Sequence, residues 1–222
     1  VMNFMQLMTG DEYKKYELIS QKEHERFYIV TSFACNSKCQ YCLFRFDAKR
    51  IRTCDDKVFA VKVKSILDAY PDTDFSVSIT GGEPLLDERR TIAILDAIAS
   101  VKKKSIRWIG FGTNGSSVPT YLEDYPDFHF DLYISRHHYS YDRNVEIFRN
   151  KQIRQLSDFS NLSHNVSIRL SCNLIRGDID SVEQMKLYLQ WAEDNSIHDV
   201  TFRELNRIAG TSTMYDQRYI LD

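Results

Sequence analysis

Six short runs that alternate apolar with polar or small residues recur along the chain, with helical patterns between them, and this rhythm limits the fold most. The strand-like runs are residues 26–31, 75–80, 106–111, 128–134, 166–171 and 199–205. Between the first two, Phe59, Val63, Ile66, Leu67 and Tyr70 share one face at helical spacing. Ile94, Ala97, Ile98 and Val101 do so after the second run, and Val182, Met185, Leu189 and Ala192 after the fifth. The stretches 118–125 and 143–160 are less regular and are also read as helical. Strands alternating with helices imply an α/β fold of parallel β/α units with right-handed crossovers. A closed eight-unit barrel typically needs ~250 residues. The 222 residues here suit an open-sided, partial (β/α)6 TIM-like barrel. With no repeat or linker, the chain reads as one domain over 1–222: an N-terminal extension to 25, the partial barrel over 26–206 and a C-terminal segment over 207–222. In such a fold the chemistry belongs on the loops at the carboxyl ends of the strands.

The first of those loops holds three of the five cysteines. Cys35, Cys39 and Cys42 form a C-x3-C-x2-C segment directly after the first strand, while Cys54 and Cys172 stand apart. An odd, clustered set differs from a secreted disulfide framework and points to metal binding. Three thiolates can each hold one iron of a cubane and leave the fourth iron open, whereas an electron-transfer cluster usually has four cysteine ligands. A structural zinc site completed by a histidine or by Cys54 stays open on the cysteines alone. Cys54 and Cys172 read as small apolar residues. The net charge of −2 gives no general attraction to nucleic acid or anionic membranes, and no apolar run is long enough to span a bilayer. The expectation is a soluble cytoplasmic protein.

After the second strand comes Thr80-Gly81-Gly82-Glu83-Pro84. Together with Cys35–Cys42 and the aromatic Tyr41 just before the last cysteine, it resembles the signature pair of the radical S-adenosylmethionine (SAM) superfamily. Within it, the core is similar to the molybdenum cofactor biosynthesis protein A (GTP 3′,8-cyclase) group, without that group's auxiliary cluster. Phe111-Gly112-Thr113-Asn114-Gly115 resembles its turn after the third strand; Ser135, Ser171 and Asn206 occupy positions of its SAM contacts or their neighbours, and Arg169 that of a substrate-binding lysine. Tyr28 and Ser78 stand where the GTP cyclases carry arginines, so GTP is not the expected substrate.

The resemblance implies a [4Fe–4S] cluster on Cys35, Cys39 and Cys42. It also implies SAM held by Tyr41, Gly81, Gly82, Glu83, Pro84, Thr113, Asn114, Ser135, Ser171 and Asn206. Reductive cleavage of SAM would then give a 5′-deoxyadenosyl radical that takes hydrogen from a substrate, with the electron coming from an external flavodoxin- or ferredoxin-type donor. The residue chemistry agrees. Glu83 is an acceptor-only carboxylate suited to the SAM amino group, and Gly81 and Gly82 permit close backbone approach to a ligand. Arg136, His137, His138 and Arg169 are the candidate catalytic or substrate residues. Arg136 is a permanent cation, and a histidine can move protons near neutral pH. Arg169 should point into the barrel, because Ile168 and Leu170 alternate away from it, and should meet Glu204 or an anionic ligand. The expected substrate is an anionic small molecule. A protein- or peptide-modifying activase, and a non-catalytic metal-binding regulator, are the competing readings.

Overall fold

The computed structural model describes residues 25–42, 54–69, 75–101 and 106–205. Tyr70, the Lys102, Lys103 and Lys104 run, Asn206 and the two terminal segments therefore lie outside the described residues. Six strands form one sheet: β1 (Glu25–Val30), β2 (Phe75–Thr80), β3 (Ile106–Thr113), β4 (Phe130–Ser135), β5 (Val166–Leu174) and β6 (Val200–Glu204). They lie side by side in chain order, and every neighbouring pair is parallel. This is the expected open α/β arrangement, with β3 and β5 running further than the alternation indicated.

The register explains the alternation. Val77, Ile79, Ile109, Phe111, Leu132, Ile134, Leu170 and Cys172 share one face and are fully buried. The helices α1 (Asp56–Ala69), α2 (Glu88–Ala99) and α4 (Val182–Asp194) pack their apolar side chains into the same core. The other face carries Ser78, Gly110, Gly112, Tyr133, Ser135, Arg169 and Ser171. Each fully buried large side chain on the apolar face, such as Phe75, Phe111 or Phe130, contributes about 1.5–3 kcal/mol. The polar face is open at its β1 edge, where Tyr28 is 62% exposed.

The helices differ in detail from their expected faces. In α1, Val63 and Leu67 are buried, but Ile66 points outward. In α4 the buried positions are Tyr188 and Ala192, and Leu189 is exposed. Tyr188 is the better inward residue because its hydroxyl finds a partner, the carbonyl of Arg136 at 2.8 Å. Stretch 118–125 holds only a 3₁₀ turn at Thr120–Asp124 behind Pro119. Stretch 143–160 resolves into α3 (Tyr141–Phe148) and a second 3₁₀ turn at Leu156–Phe159. Side-chain caps start the helices: Asp87 accepts from Arg90 N, Ser140 from Arg143 N and Ser181 from Gln184 N. Arg90 fastens α2 to α1 through Asp56 (2.8 Å), the Cys54 carbonyl (3.0 Å) and the Phe59 ring. No described helix is long and apolar enough to cross a membrane.

Candidate functional site

The first and second strand-end loops are joined by backbone. Thr31 N donates to Thr80 O, Gly82 N to Ser32 O and Glu83 N to Ala34 O, at 2.8–2.9 Å. This extends the β1–β2 ladder past the strands. It also gives the two glycines a different use from the expected one. A Cβ on Gly81 would sit 2.3 Å from Ser32 O, and one on Gly82 2.2 Å from Ala34 O. The close approach is of chain to chain, and the glycines allow the cysteine loop to lie directly on the Gly-Gly-Glu-Pro turn.

Glu83 is 2% exposed and ties β2 to β3. Its Oε1 accepts from Thr113 Oγ1 (2.8 Å) and Leu85 N (3.0 Å), and its Oε2 from Asn114 N (2.6 Å). Burial raises its pKa above the usual carboxylate range, against those hydrogen bonds and the nearby charge of Arg136. A carboxylate has about four lone-pair sites, so three internal donors leave acceptor capacity for a ligand. Pro84 is buried behind it, with its carbonyl accepting from Thr91 Oγ1 at 2.7 Å.

Asn114 carries the connection onward to the cysteines. Its Nδ2 lies 2.9 Å from Asn36 Oδ1, 2.9 Å from Ser37 Oγ and 3.7 Å from Cys35 Sγ. Ser37 N also donates to Cys35 Sγ at 3.3 Å. Cys39 and Tyr41 turn inward onto Phe148, Ile153, Ile175 and Leu205, a small apolar cluster with Cys42 at its border. Burial pushes the Cys39 thiol up to about 12 and raises that of Cys35. A nearby positive charge, such as that of a bound metal, would favour the thiolate at both positions. Among the described residues, no three His, Cys, Asp or Glu side chains converge on one ion. The donor set suits a cluster in which each sulfur holds a different iron. Cys172 is part of the main core, its pKa raised by burial, and Cys54 lies just before α1, its carbonyl accepting from Arg90.

The Arg136–His138 segment is not an open substrate patch. Arg136 is 2% exposed, and its guanidinium donates to the carbonyls of Asn114 (2.9 Å), Ser135 (2.7 Å) and Arg154 (2.6 Å). Burial lowers its pKa to about 10, so it remains charged at neutral pH. Gly115 lies against it, because a Cβ there would meet Nη2 at 2.9 Å. His137 is enclosed between the rings of Tyr41 and Phe148, and its Nδ1 accepts from Asn173 N at 3.0 Å. His138 Nδ1 accepts from Ser140 N, in the turn that starts α3. Ser135 at the end of β4 is paired with Ser171 within β5, and the Ser171 carbonyl accepts from Arg136 N.

Burial, and secondarily the Arg136 charge, lower the His137 pKa to about 3, against about 6.5 in the unfolded chain. Between those values the unfolded chain binds more protons. The stability contribution of neutral His137 is therefore complete above about pH 6.5 and is lost as pH falls toward 3. Between pH 7.5 and pH 5.5 the loss should come to about 1.4 kcal/mol. Urea unfolding at about pH 7.5 and about pH 5.5 should show that loss in the wild type and not in His137→Gln. Equal losses in both proteins would assign the effect elsewhere.

Arg169 does lie on the polar face, opposite Tyr133 in the register. Its partners are Asp131 and Asp199; Glu204 pairs with Leu174, on the opposite alternation. Arg169 Nε is 3.0 Å from Asp131 Oδ1, close enough for a strong ion pair but poorly aligned as a hydrogen bond. The guanidinium thus turns toward the amino-terminal end of the sheet, away from the cysteine loop.

Several supporting residues escaped sequence reading. Asn36 Nδ2 donates to Ser116 Oγ (3.0 Å) and Gln152 Oε1 (3.2 Å), Asn150 Nδ2 donates to Ser37 Oγ (3.0 Å), and Lys38 N donates to Phe148 O (2.9 Å). Asn36 and Ser37 were findable from their place between the cysteines. Nothing in the sequence marks Asn150 or Gln152.

Comparison with known proteins agrees with this geometry. No curated protein matches the sequence. Among solved structures, the fold is similar to anSMEcpe with bound AdoMet and Cp18Cys peptide (TM-score 0.61, 16% identity, covering 87% of this chain and 55% of that one). It is also similar to SuiB of Streptococcus suis bound to precursor peptide SuiA (TM-score 0.63, 18% identity, 92% and 46% covered). The chain spans about half the length of these proteins. The sequence profile of the radical SAM superfamily, whose cofactors are a [4Fe–4S] cluster and SAM, matches residues 29–192, and the chain belongs to that superfamily.

Proposed function

We propose that this chain is the catalytic barrel of an enzyme that cleaves SAM reductively and directs the resulting radical to a hydrogen-bearing substrate. The observation that carries the reading is Asn114, which meets Glu83 through its backbone and the Cys35 sulfur through its side chain. One residue thereby sets the distance between the sites for the cluster and for the SAM amino group. When bound, the cluster and SAM together supply one electron to the sulfonium–C5′ bond and a carbon radical that abstracts hydrogen.

The chain's own residues bind and orient. Cys35, Cys39 and Cys42 hold three irons, and the N–H groups of Ser37 and Asn114 stabilise charge on the Cys35 sulfur. The remaining acceptor capacity of Glu83 takes the SAM ammonium. Thr113 and Ser135 place short polar groups at the ends of β3 and β4, with Ser171 beside Ser135 in β5. The apolar floor under Cys39 and Tyr41 keeps water from the reduced cluster.

The substrate reading moves from an anionic small molecule to a peptide or protein segment. Both candidate cations are already engaged, Arg136 by carbonyls and Arg169 by carboxylates. The β1 edge of the polar face instead exposes Tyr28 and Val30, surface suited to an extended chain. The peptide-bound anSMEcpe and SuiB structures support the same class. Anaerobic reconstitution with SAM and a reductant should yield methionine and 5′-deoxyadenosine in equal amounts, more with peptide substrates than with small carboxylates. A reduced cluster that leaves SAM intact would favour a non-catalytic metal-binding protein.

A further inference from the structure

Two glycines lie two residues apart on the polar face of β3, and their surroundings differ. A Cβ on Gly110 would sit 2.8 Å from the Trp108 ring and 3.0 Å from the Tyr133 ring, so two aromatic side chains already cover it. Among the described residues, a Cβ on Gly112 would meet only Thr80 Oγ1, at an ordinary contact distance of 3.6 Å. Gly112 pairs in regular register with Tyr133, and its φ lies outside the left-handed region. Neither packing nor backbone conformation therefore requires glycine there, although glycine weakens a strand interior. What it leaves is room for something that the chain itself does not supply.

That room is a recess with a floor and walls. The Trp108 and Tyr133 rings, with centroids 6.4 Å apart, close it below. The Arg26 guanidinium lies over Trp108 and the Arg169 guanidinium over Tyr133, so the ring pair is held at both ends. Beside Gly112, Thr80 of β2 stands next to the exposed Val30 of β1. Ser135 at the end of β4 and its pair Ser171 lie two residues further along their strands than Tyr133 and Arg169, roughly 6–7 Å nearer the level of the SAM site. Ser171 is 6% exposed, and its hydroxyl has no hydrogen-bond partner among the described residues. Arg169, across Tyr133, is engaged by Asp131 and Asp199. The recess is thus shallow, without a free charge, and bordered by hydroxyls, an aromatic ring and a valine.

We propose that this recess receives one small, uncharged side chain of the peptide substrate, and that Gly112 and Tyr133 determine which side chains fit. The inference rests on the SAM-cleaving, peptide-directed reading and deepens it. A chain extended along the open β1 edge projects alternate side chains to opposite sides. One of them can pass Val30 and Thr80 to reach Gly112, just below the level of the SAM site. A charged side chain would lose its hydration there without gaining a partner. A large one would meet the Tyr133 ring. A small polar one finds the Thr80 and Ser171 hydroxyls on the same face.

The test uses the cluster-loaded protein with SAM, a chemical reductant and a set of glycine pentapeptides whose central residue is varied over all residue types. In the wild type, peptides with a small uncharged central residue should raise 5′-deoxyadenosine formation most. Gly112→Ala should lower that stimulation about tenfold or more, because one methyl group takes up the recess. Its urea unfolding midpoint should not fall, since alanine meets no clash there and orders more readily than glycine. Its iron content and its affinity for SAM should match the wild type. Tyr133→Leu should shift the preference toward larger central residues. A lowered unfolding midpoint in Gly112→Ala would show that the glycine serves the fold, and weakened SAM binding would put it in the cofactor site. Either result would overturn the recess while leaving SAM cleavage in place. So would one peptide preference shared by wild type and both variants, or no stimulation by any peptide. Absence of 5′-deoxyadenosine and methionine from the wild-type reaction would overturn the underlying reading as well.

Discussion

Cys35→Ala, Cys39→Ala and Cys42→Ala should each yield a folded protein that retains no [4Fe–4S] cluster after anaerobic reconstitution. With three protein sulfurs on one loop, loss of any one leaves two, too few to hold a cubane against solvent and free thiols. Cys39→Ala should be the most severe, because its sulfur lies in the apolar cluster with Tyr41, Phe148 and Ile153 and no exposed side chain can take its place. Cys54→Ala and Cys172→Ala should load normally, since Cys54 sits just before α1 and Cys172 in the main core. Iron and sulfide analysis with the broad visible absorption of the cluster reads all five variants. A tetrahedral zinc site that survives anaerobic iron loading would end the cluster assignment.

Glu83→Ala should be the most destabilising single change at the strand ends. It leaves the Thr113 hydroxyl and the N–H groups of Leu85 and Asn114 buried without their acceptor. Hydrogen bonds to a charged group are each worth about 1.5–3 kcal/mol, and breaking a buried charged network costs about 3–5 kcal/mol in all. That is a large share of the ~5–15 kcal/mol that holds a domain folded. Glu83→Gln keeps the shape and one carbonyl acceptor, and should lose about 1–3 kcal/mol. The glutamine variant is therefore the one in which SAM affinity can be read, with an expected fall of roughly tenfold to a hundredfold. Chemical denaturation and anaerobic titration with SAM separate the two effects. An unchanged unfolding midpoint in Glu83→Ala would show that the carboxylate does not hold the strand ends together.

The fold was legible because each strand meets two different environments. In Phe75-Ser76-Val77-Ser78-Ile79-Thr80, every second side chain enters the helix-facing core, and the sequence must write that period plainly. The cysteine and Gly-Gly-Glu-Pro motifs were legible for a similar reason: thiols and paired glycines have few substitutes. The α4 face was not, because Tyr188 and Leu189 are both apolar and the helical period tolerates either. Polar residues at strand ends were hardest. Asn114, Arg136 and His137 are the types that bind ligands, and equally the types that join loops. The choice depends on partners such as Arg154 O and Asn173 N that are distant in sequence. The glycines illustrate the same limit, since their need for space was evident but what occupies that space was not.

The support under the cysteines also has a consequence for how the protein is made. Cys39 rests on Phe148, a residue 109 positions later in the chain. At a synthesis rate of ~5–20 residues per second, roughly 5–20 s pass between the emergence of the thiol and that of its floor. Throughout that interval the loop is translated but unsheltered, so oxidants and adventitious metals reach it before its own cofactor can be retained. Cluster delivery must wait until α3 has left the ribosome, and the nascent thiols must be kept reduced until then.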